Sequence, residues 1–184
     1  MKLSFEEITD WQEFEDLATS FFEQVKKERN DALDLVVEPS GSGGDGGRDI
    51  LVTVHVNDGF ISFQRKWIVQ CKFYEKDLSQ SNLDKINIPT LIDEYGANGY
   101  LLICKNGVTK NVSEQFEKLR LNCRRNHNYQ IWTGSQFRDK LIGHDNILKR
   151  YFPKYYKNYK ETNVESRFDQ IIMDYTNQLK ENKL

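Results

Sequence analysis

Three side chains in this sequence have the types and spacing to act together on a phosphate ester: Asp49, Gln70 and Lys72. Gln70 and Lys72 are two residues apart, so on a strand both leave the same face while Cys71 turns to the other. Asp49 opens an apolar, β-branched run, Ile50-Leu51-Val52-Thr53-Val54-His55-Val56, which a hairpin would lay beside them. An acid, an amide oxygen and a lysine that converge suit phosphodiester hydrolysis. A divalent cation neutralises the phosphate and lowers the pKa of an attacking water, and a cationic side chain steadies that water or the developing charge. Gln64-Arg65-Lys66 offers the same glutamine-x-lysine spacing nearer to Asp49 in sequence. Gln70 and Lys72 are preferred because they follow the apolar strand Trp67-Ile68-Val69, as a site borne by the core should.

The elements that must position these groups are readable from periodicity. A helix is expected from about Asp10 to Lys27, with Thr9 and Gln12 in capping-box relation. Trp11, Phe14, Ala18, Phe21, Phe22 and Val25 form its core stripe at 100° per residue. Glu15, four after Trp11 and three before Ala18, lies on the flank of that stripe and turns a carboxylate towards the interior. An ionised carboxylate is costly to bury unless a metal, a lysine or a backbone amide pairs with it. The competing reading is a rim carboxylate that bends out to water.

Leu33 to Glu38 reads as a short strand ended by Pro39, and the hairpin runs from Ile50 through Asn57-Asp58-Gly59 and Phe60 to Trp67–Phe73. Ser79 to Tyr95 reads as helical but broken or kinked at Pro89. Tyr100 to Cys104 is a strand of buried type, Lys110 to Arg125 a charged helix, Tyr129 to Trp132 a strand and Ser135 to Ile142 a short helix. The order α-β-β-β-α-β-α-β is a mixed α/β pattern. Asn163 to Lys180 carries a helical stripe of Phe168, Ile171, Ile172, Tyr175 and Leu179, the kind that packs or dimerises. One domain over residues 1–143 with an extension over 144–184 is the expected organisation.

The loop Ser40 to Asp49 holds five glycines and raises the question of a phosphate cradle. A Walker loop or a dinucleotide fingerprint opens a helix, whereas these glycines feed a strand, which disfavours a nucleotide-binding regulator. A net charge of −2 means that any nucleic-acid contact must be local. Leu148 to Lys160, with five cations, five aromatics and no acid, either grips a phosphate backbone or packs as an ordinary helix. Lys110, Arg120 and Arg124 on the charged helix either meet a DNA backbone or are a solvated face. No segment approaches the roughly 18 uninterrupted apolar residues of a membrane span. Glu6 and Glu7 stand where a secretory signal would be apolar, so the cytoplasm is expected. Cys71, Cys104 and Cys123 match no zinc spacing and are expected to be reduced and buried.

Gly44-Asp45-Gly46-Gly47-Arg48-Asp49 followed by Val69-Gln70-Cys71-Lys72, with Phe14-Glu15 on the first helix, resembles the Mrr-like restriction endonuclease catalytic domain. That family is a branch of the PD-(D/E)xK nucleases in which the second motif's acid is commonly glutamine. The resemblance covers about Trp11 to Leu141. It implies a restriction-endonuclease-like fold, a central mixed β-sheet flanked by helices, with a C-terminal helical extension. It further implies a Mg²⁺-dependent endodeoxyribonuclease, with Mn²⁺ as a substitute, that leaves 5′-phosphate and 3′-hydroxyl ends and serves in defence against foreign DNA. By the same resemblance Asp49 is the principal metal ligand, Gln70 and the Cys71 backbone carbonyl add to the coordination, and Lys72 orients or activates the attacking water. Glu15 binds a second ion or anchors a metal-bound water, and Asp45 shapes the turn. Double-stranded DNA is the implied partner, with a homodimer or a separate recognition protein completing the assembly. A neutral glutamine lowers cation affinity, so activity needs DNA phosphates as co-ligands or is absent. The alternative is therefore a catalytically weak or inactive nucleic-acid-binding module that needs a partner subunit.

Overall fold

The computed structural model describes residues 2–28, 33–40, 48–57 and 59–160. The glycines of the loop with Asp45, the turn residue Asp58 and the C-terminal stripe from Asn163 lie outside the described residues. Ten elements follow in order: α1 (Trp11–Glu28), β1 (Leu33–Pro39), β2 (Ile50–Asn57), β3 (Ser62–Lys72), α2 (Ile88–Glu94), β4 (Gly99–Cys104), α3 (Lys110–Asn122), β5 (Asn128–Trp132), α4 (Gly134–Leu141) and α5 (Asp145–Tyr151). Residues 153–160 are also helical. The strands form one sheet in the order β1-β2-β3-β4-β5, antiparallel through β3 and parallel from β3 to β5. This is the mixed α/β architecture expected.

Period-two alternation explains why the sheet has two cores. Ile50, Val52, Val69, Cys71, Leu101 and Ile103 face α1, α4 and α5, while Leu51, Ile68, Tyr100, Leu102 and Cys104 face α2 and α3. Every residue of β4 is buried, as a parallel strand covered on both faces requires. At the hairpin tip the Gly59 N–H donates to Asn57 Oδ1, and Gly59 takes a φ of +85° that glycine adopts without penalty.

Four local expectations are corrected. Trp11 is 56% exposed, and Leu17, fully buried, completes the α1 stripe in its place. The neighbouring volume is filled by Phe5 and Ile8, with Phe5 edge-on to Phe14 at 5.4 Å. The α1 cap lies one residue later than Thr9 and Gln12: Asp10 Oδ1 accepts from the Glu13 N–H, and the Glu13 carboxylate accepts from the Thr9 N–H. Pro89 starts a helix instead of breaking one, because it occupies the first turn of α2, where its missing N–H has no intrahelical partner to lose; Asn87 caps that turn through the Thr90 N–H. Cys71 and Cys104 are buried free thiols as expected, but Cys123, just past the end of α3, is only partly buried.

The basic and aromatic segment resolves towards packing. Leu148, Tyr151, Phe152 and Tyr155 are buried in the same core as α1, and the Tyr151 hydroxyl pairs with Ser20 Oγ at 2.8 Å. The Glu7 carboxylate accepts from the N–H groups of Lys154 and Tyr155 at the start of the last helical turns. Among the described residues no helix is long and apolar enough to cross a membrane.

Candidate active site

The site forms where β2 begins and β3 ends. The Asp49 N–H donates to the Val69 carbonyl at 3.0 Å, which sets Asp49 one step before the ladder pair Ile50 and Val69. Its carbonyl accepts from the Ser40 N–H at 2.8 Å, tying it to the end of β1. Arg48 braces the approach. Its Nε donates to Ser40 Oγ at 3.1 Å, Ser40 Oγ donates to the Arg48 carbonyl, and the guanidinium lies 4.7 Å from the Tyr95 ring centroid. With its backbone pinned on two strands, Asp49 turns its carboxylate to β3, where Oδ2 accepts from the Cys71 N–H at 2.6 Å.

Gln70 and Lys72 therefore flank the residue whose N–H holds Asp49. Gln70 is 2% exposed, and the hydroxyl of Tyr100, on the neighbouring strand β4, donates to its Oε1. Lys72 is partly buried, and its carbonyl accepts from the Lys105 N–H. Glu15 reaches the same place from α1. Its carboxyl is pushed up to about 7, first by burial, then by the negative charge of Asp49, with Lys72 pulling in the opposite sense. Burial also raises the Asp49 carboxyl, against the Cys71 N–H and Lys72, which lower it. Glu15, Asp49 and Lys72 thus act on one another through space, and Gln70 flanks the Cys71 N–H that holds Asp49, although these groups come from α1, the β2 entry and β3.

Gln64 and Lys66 do not join them. Gln64 pairs with His55 and is exposed, while Lys66 pairs with Thr53 and donates its ammonium to the Tyr95 carbonyl. At roughly 3.3 Å per residue, Gln64 lies about 20 Å along the strand from Gln70. Lys110 begins α3 after the end of β4, exposed and 3.5 Å from Glu114. Arg120 and Arg124 are placed at the other end of α3, which leads into β5 beside Gly99. Arg124 lines a cleft of about 750 Å³ between α2, α3 and β5 that shares no residue with the Asp49 cluster.

The donor set fits a divalent cation. Two carboxylates that burial disfavours in their charged forms, Glu15 further by the Asp49 charge, gain from a positive ion, and an amide oxygen supplies a neutral third donor. Among the described residues no three His, Cys, Asp or Glu side chains group together as a metal cluster; carboxylate and amide oxygens are hard donors of the kind a partly hydrated divalent ion takes. Cys71 adds a backbone carbonyl on the same strand edge as its N–H, since both groups of a strand residue leave on one side.

A mixed sheet covered on both faces, with this cluster at the meeting of β2 and β3, defines a restriction-endonuclease-like α/β fold. The chain belongs to the Mrr catalytic-domain family, described as restriction endonuclease, whose profile matches residues 7–141. Among solved structures it is similar to the DNA modification-dependent restriction endonuclease AspBHI, at 14% identity and a TM-score of 0.49 over 83% of this chain and 35% of that one. It is also similar to the MspJI restriction endonuclease in complex with a 27-mer oligonucleotide, at 14% identity and a TM-score of 0.47 over 70% of this chain and 27% of that one. The chain spans about a third or less of the length of these two structures. No curated protein matches the sequence.

Proposed function

We propose that this chain is a metal-dependent endodeoxyribonuclease of restriction type, acting on double-stranded DNA in the cytoplasm as a defence against foreign DNA. The observation that carries the reading is the meeting of Glu15, Asp49, Gln70 and Lys72 from three separate segments, with both carboxylates raised by burial and Glu15 further by the charge of Asp49. Asp49, the Gln70 amide oxygen and the Cys71 carbonyl would hold Mg²⁺, or Mn²⁺ in its place, and Glu15 would bind a second ion or anchor a water of the first. The cation supplies charge neutralisation of the phosphate and a more acidic water. Asp49 keeps its carboxylate aimed by accepting from the Cys71 N–H. Lys72 orients the attacking water and balances the negative charge that builds on the phosphate. The 3′-oxygen leaves, giving 5′-phosphate and 3′-hydroxyl ends. Residues 144–184 extend the domain that the family shares, and target recognition falls to a partner protein or to a second copy of the chain. Lys110, Arg120 and Arg124 remain proposed DNA contacts of the α3 face, apart from the centre.

The test is incubation of the purified chain with plasmid, linear DNA, single-stranded DNA and RNA under Mg²⁺, Mn²⁺ or EDTA, followed by analysis of the ends. Cutting of duplex DNA only with metal, with ligatable 5′-phosphates, is expected. The neutral Gln70 favours a second reading, a nucleic-acid-binding module that needs a partner subunit. DNA bound but uncut under every cation would select it.

A further inference from the structure

Apart from tyrosines and cysteines, Thr53 and Gln70 are the only buried polar side chains among the described residues, so the amide of Gln70 needs a partner that justifies its place. Its partner is Tyr100, whose hydroxyl donates to Oε1. Tyr100 stands beside Ile68, two residues before Leu102, the register partner of Gln70. It reaches the amide diagonally across the two parallel strands, on the face they share. The ring has no exposed surface and packs 6.1 Å from Phe116 of α3, so it cannot swing away without opening the second core. The Asp49 carboxylate acts on the same hydroxyl through space, which puts hydroxyl, amide and carboxylate in one neighbourhood.

Glutamine and carboxylate ligands differ in one geometric respect. A carboxylate presents an oxygen whichever way it turns, whereas half a turn of an amide replaces the oxygen with an NH₂ donor that a cation repels. The amide oxygen has two lone pairs, and one hydrogen bond leaves the second available. We infer that Tyr100 is a positioning residue of the active site, whose hydroxyl fixes the Gln70 amide so that Oε1 serves as a cation ligand beside Asp49. The inference rests on the reading of Asp49 and Gln70 as cation ligands.

The experiment is Mn²⁺ titration of the full chain, followed by electron paramagnetic resonance of the free ion, for the parent, Tyr100→Phe, Gln70→Ala and the double variant. Tyr100→Phe should weaken Mn²⁺ binding about tenfold, the scale seen when a hydrogen-bond partner of a metal ligand is removed. In the Gln70→Ala background it should change nothing. An equal loss in both backgrounds, or a loss in neither, overturns the inference. The side-chain amide resonance of Gln70 in the parent gives a readout that needs no variant. Slow solvent exchange and displacement by Mg²⁺ are expected, and fast exchange without displacement overturns the inference. A parent that binds no Mn²⁺ overturns the cation-site reading and this inference with it. A parent that binds Mn²⁺ beside an unaffected Tyr100→Phe overturns the inference alone.

Discussion

Glu15 and Asp49 are held in a site that penalises their charges, and this has a consequence for stability. The Glu15 carboxyl rises from an ordinary 4.5 to about 7 because of burial and then the Asp49 charge. Between those values the folded, metal-free protein binds a proton that the unfolded chain has released, so stability falls as pH rises from about 4.5 to about 7 and stays lower above. Glu15→Gln removes that penalty. In EDTA at pH 8 its Tm should exceed that of the parent by roughly 2–4 °C, a modest shift because a partly exposed group is screened by solvent. The difference should vanish near pH 4; a constant offset across the range would assign it to something other than the Glu15 charge. At this scale much was legible before the fold was known. The spacing of Gln70 and Lys72 fixes a common face, and the place of Glu15 on the flank of an apolar stripe marks a carboxylate turned inwards. The Tyr100–Gln70 hydrogen bond, on which the proposed positioning role rests, was not legible, because a tyrosine opening a run of Leu, Leu, Ile and Cys reads as core, and its partner lies 30 residues away on another strand. A signal was present, since a buried tyrosine hydroxyl normally requires a partner. The roles of Lys110, Arg120 and Arg124 were open in the sequence for a simple reason: exposed cations on a helix look alike whether they meet a phosphate or water.

The elements place the site through β3, which pairs antiparallel on one side and parallel on the other, and through the helices that clamp the sheet. α4 starts where it does because Gly134 lets its backbone approach Lys105: the Gly134 N–H donates to the Asn106 carbonyl, and an added Cβ would lie 1.9 Å from the Lys105 carbonyl oxygen. Gly134→Ala must therefore push α4, with its buried Phe137 and Leu141, away from the end of β4. A loss of about 2–3 kcal/mol in urea unfolding is expected, against less than about 0.5 kcal/mol for the exposed neighbour in Ser135→Ala. Equal stability of the two variants would contradict the close approach. Element types were readable because α1 carries a clear helical period, and because β2 and β4 are short apolar, β-branched or aromatic runs bounded by turn residues. Element ends were not, as Pro89 shows: the same residue breaks a helix from its interior and opens one from its first turn, and only the capping by Asn87 decides which. Trp11 shows the related limit, for a helical stripe continues in sequence past the point where anything covers it.

At the scale of the whole molecule, residues 144–160, beyond the family match, are part of the packed domain. Ile147, Leu148, Tyr151 and Phe152 are buried against α1 and the N-terminal turn, with Phe152 6.0 Å from Phe5. Four such side chains contribute on the order of 6–12 kcal/mol by burial, comparable with the entire stability of a domain. A chain cut after residue 143 should therefore show no cooperative melting, and a transition at the parental Tm would contradict the shared core. Composition did not separate the two readings of this segment, since alternating cations and aromatics serve a helix that buries one face as well as they serve a phosphate backbone. The most direct test of the proposed centre is single-turnover cleavage of supercoiled plasmid by the parent, Asp49→Asn and Lys72→Met, each first shown to melt as a folded protein. The proposal predicts cutting by the parent with Mg²⁺ or Mn²⁺ but not with EDTA, and a loss of about 100-fold or more in both variants. A parent that cuts equally well in EDTA, or either variant cutting at the parental rate, would contradict it.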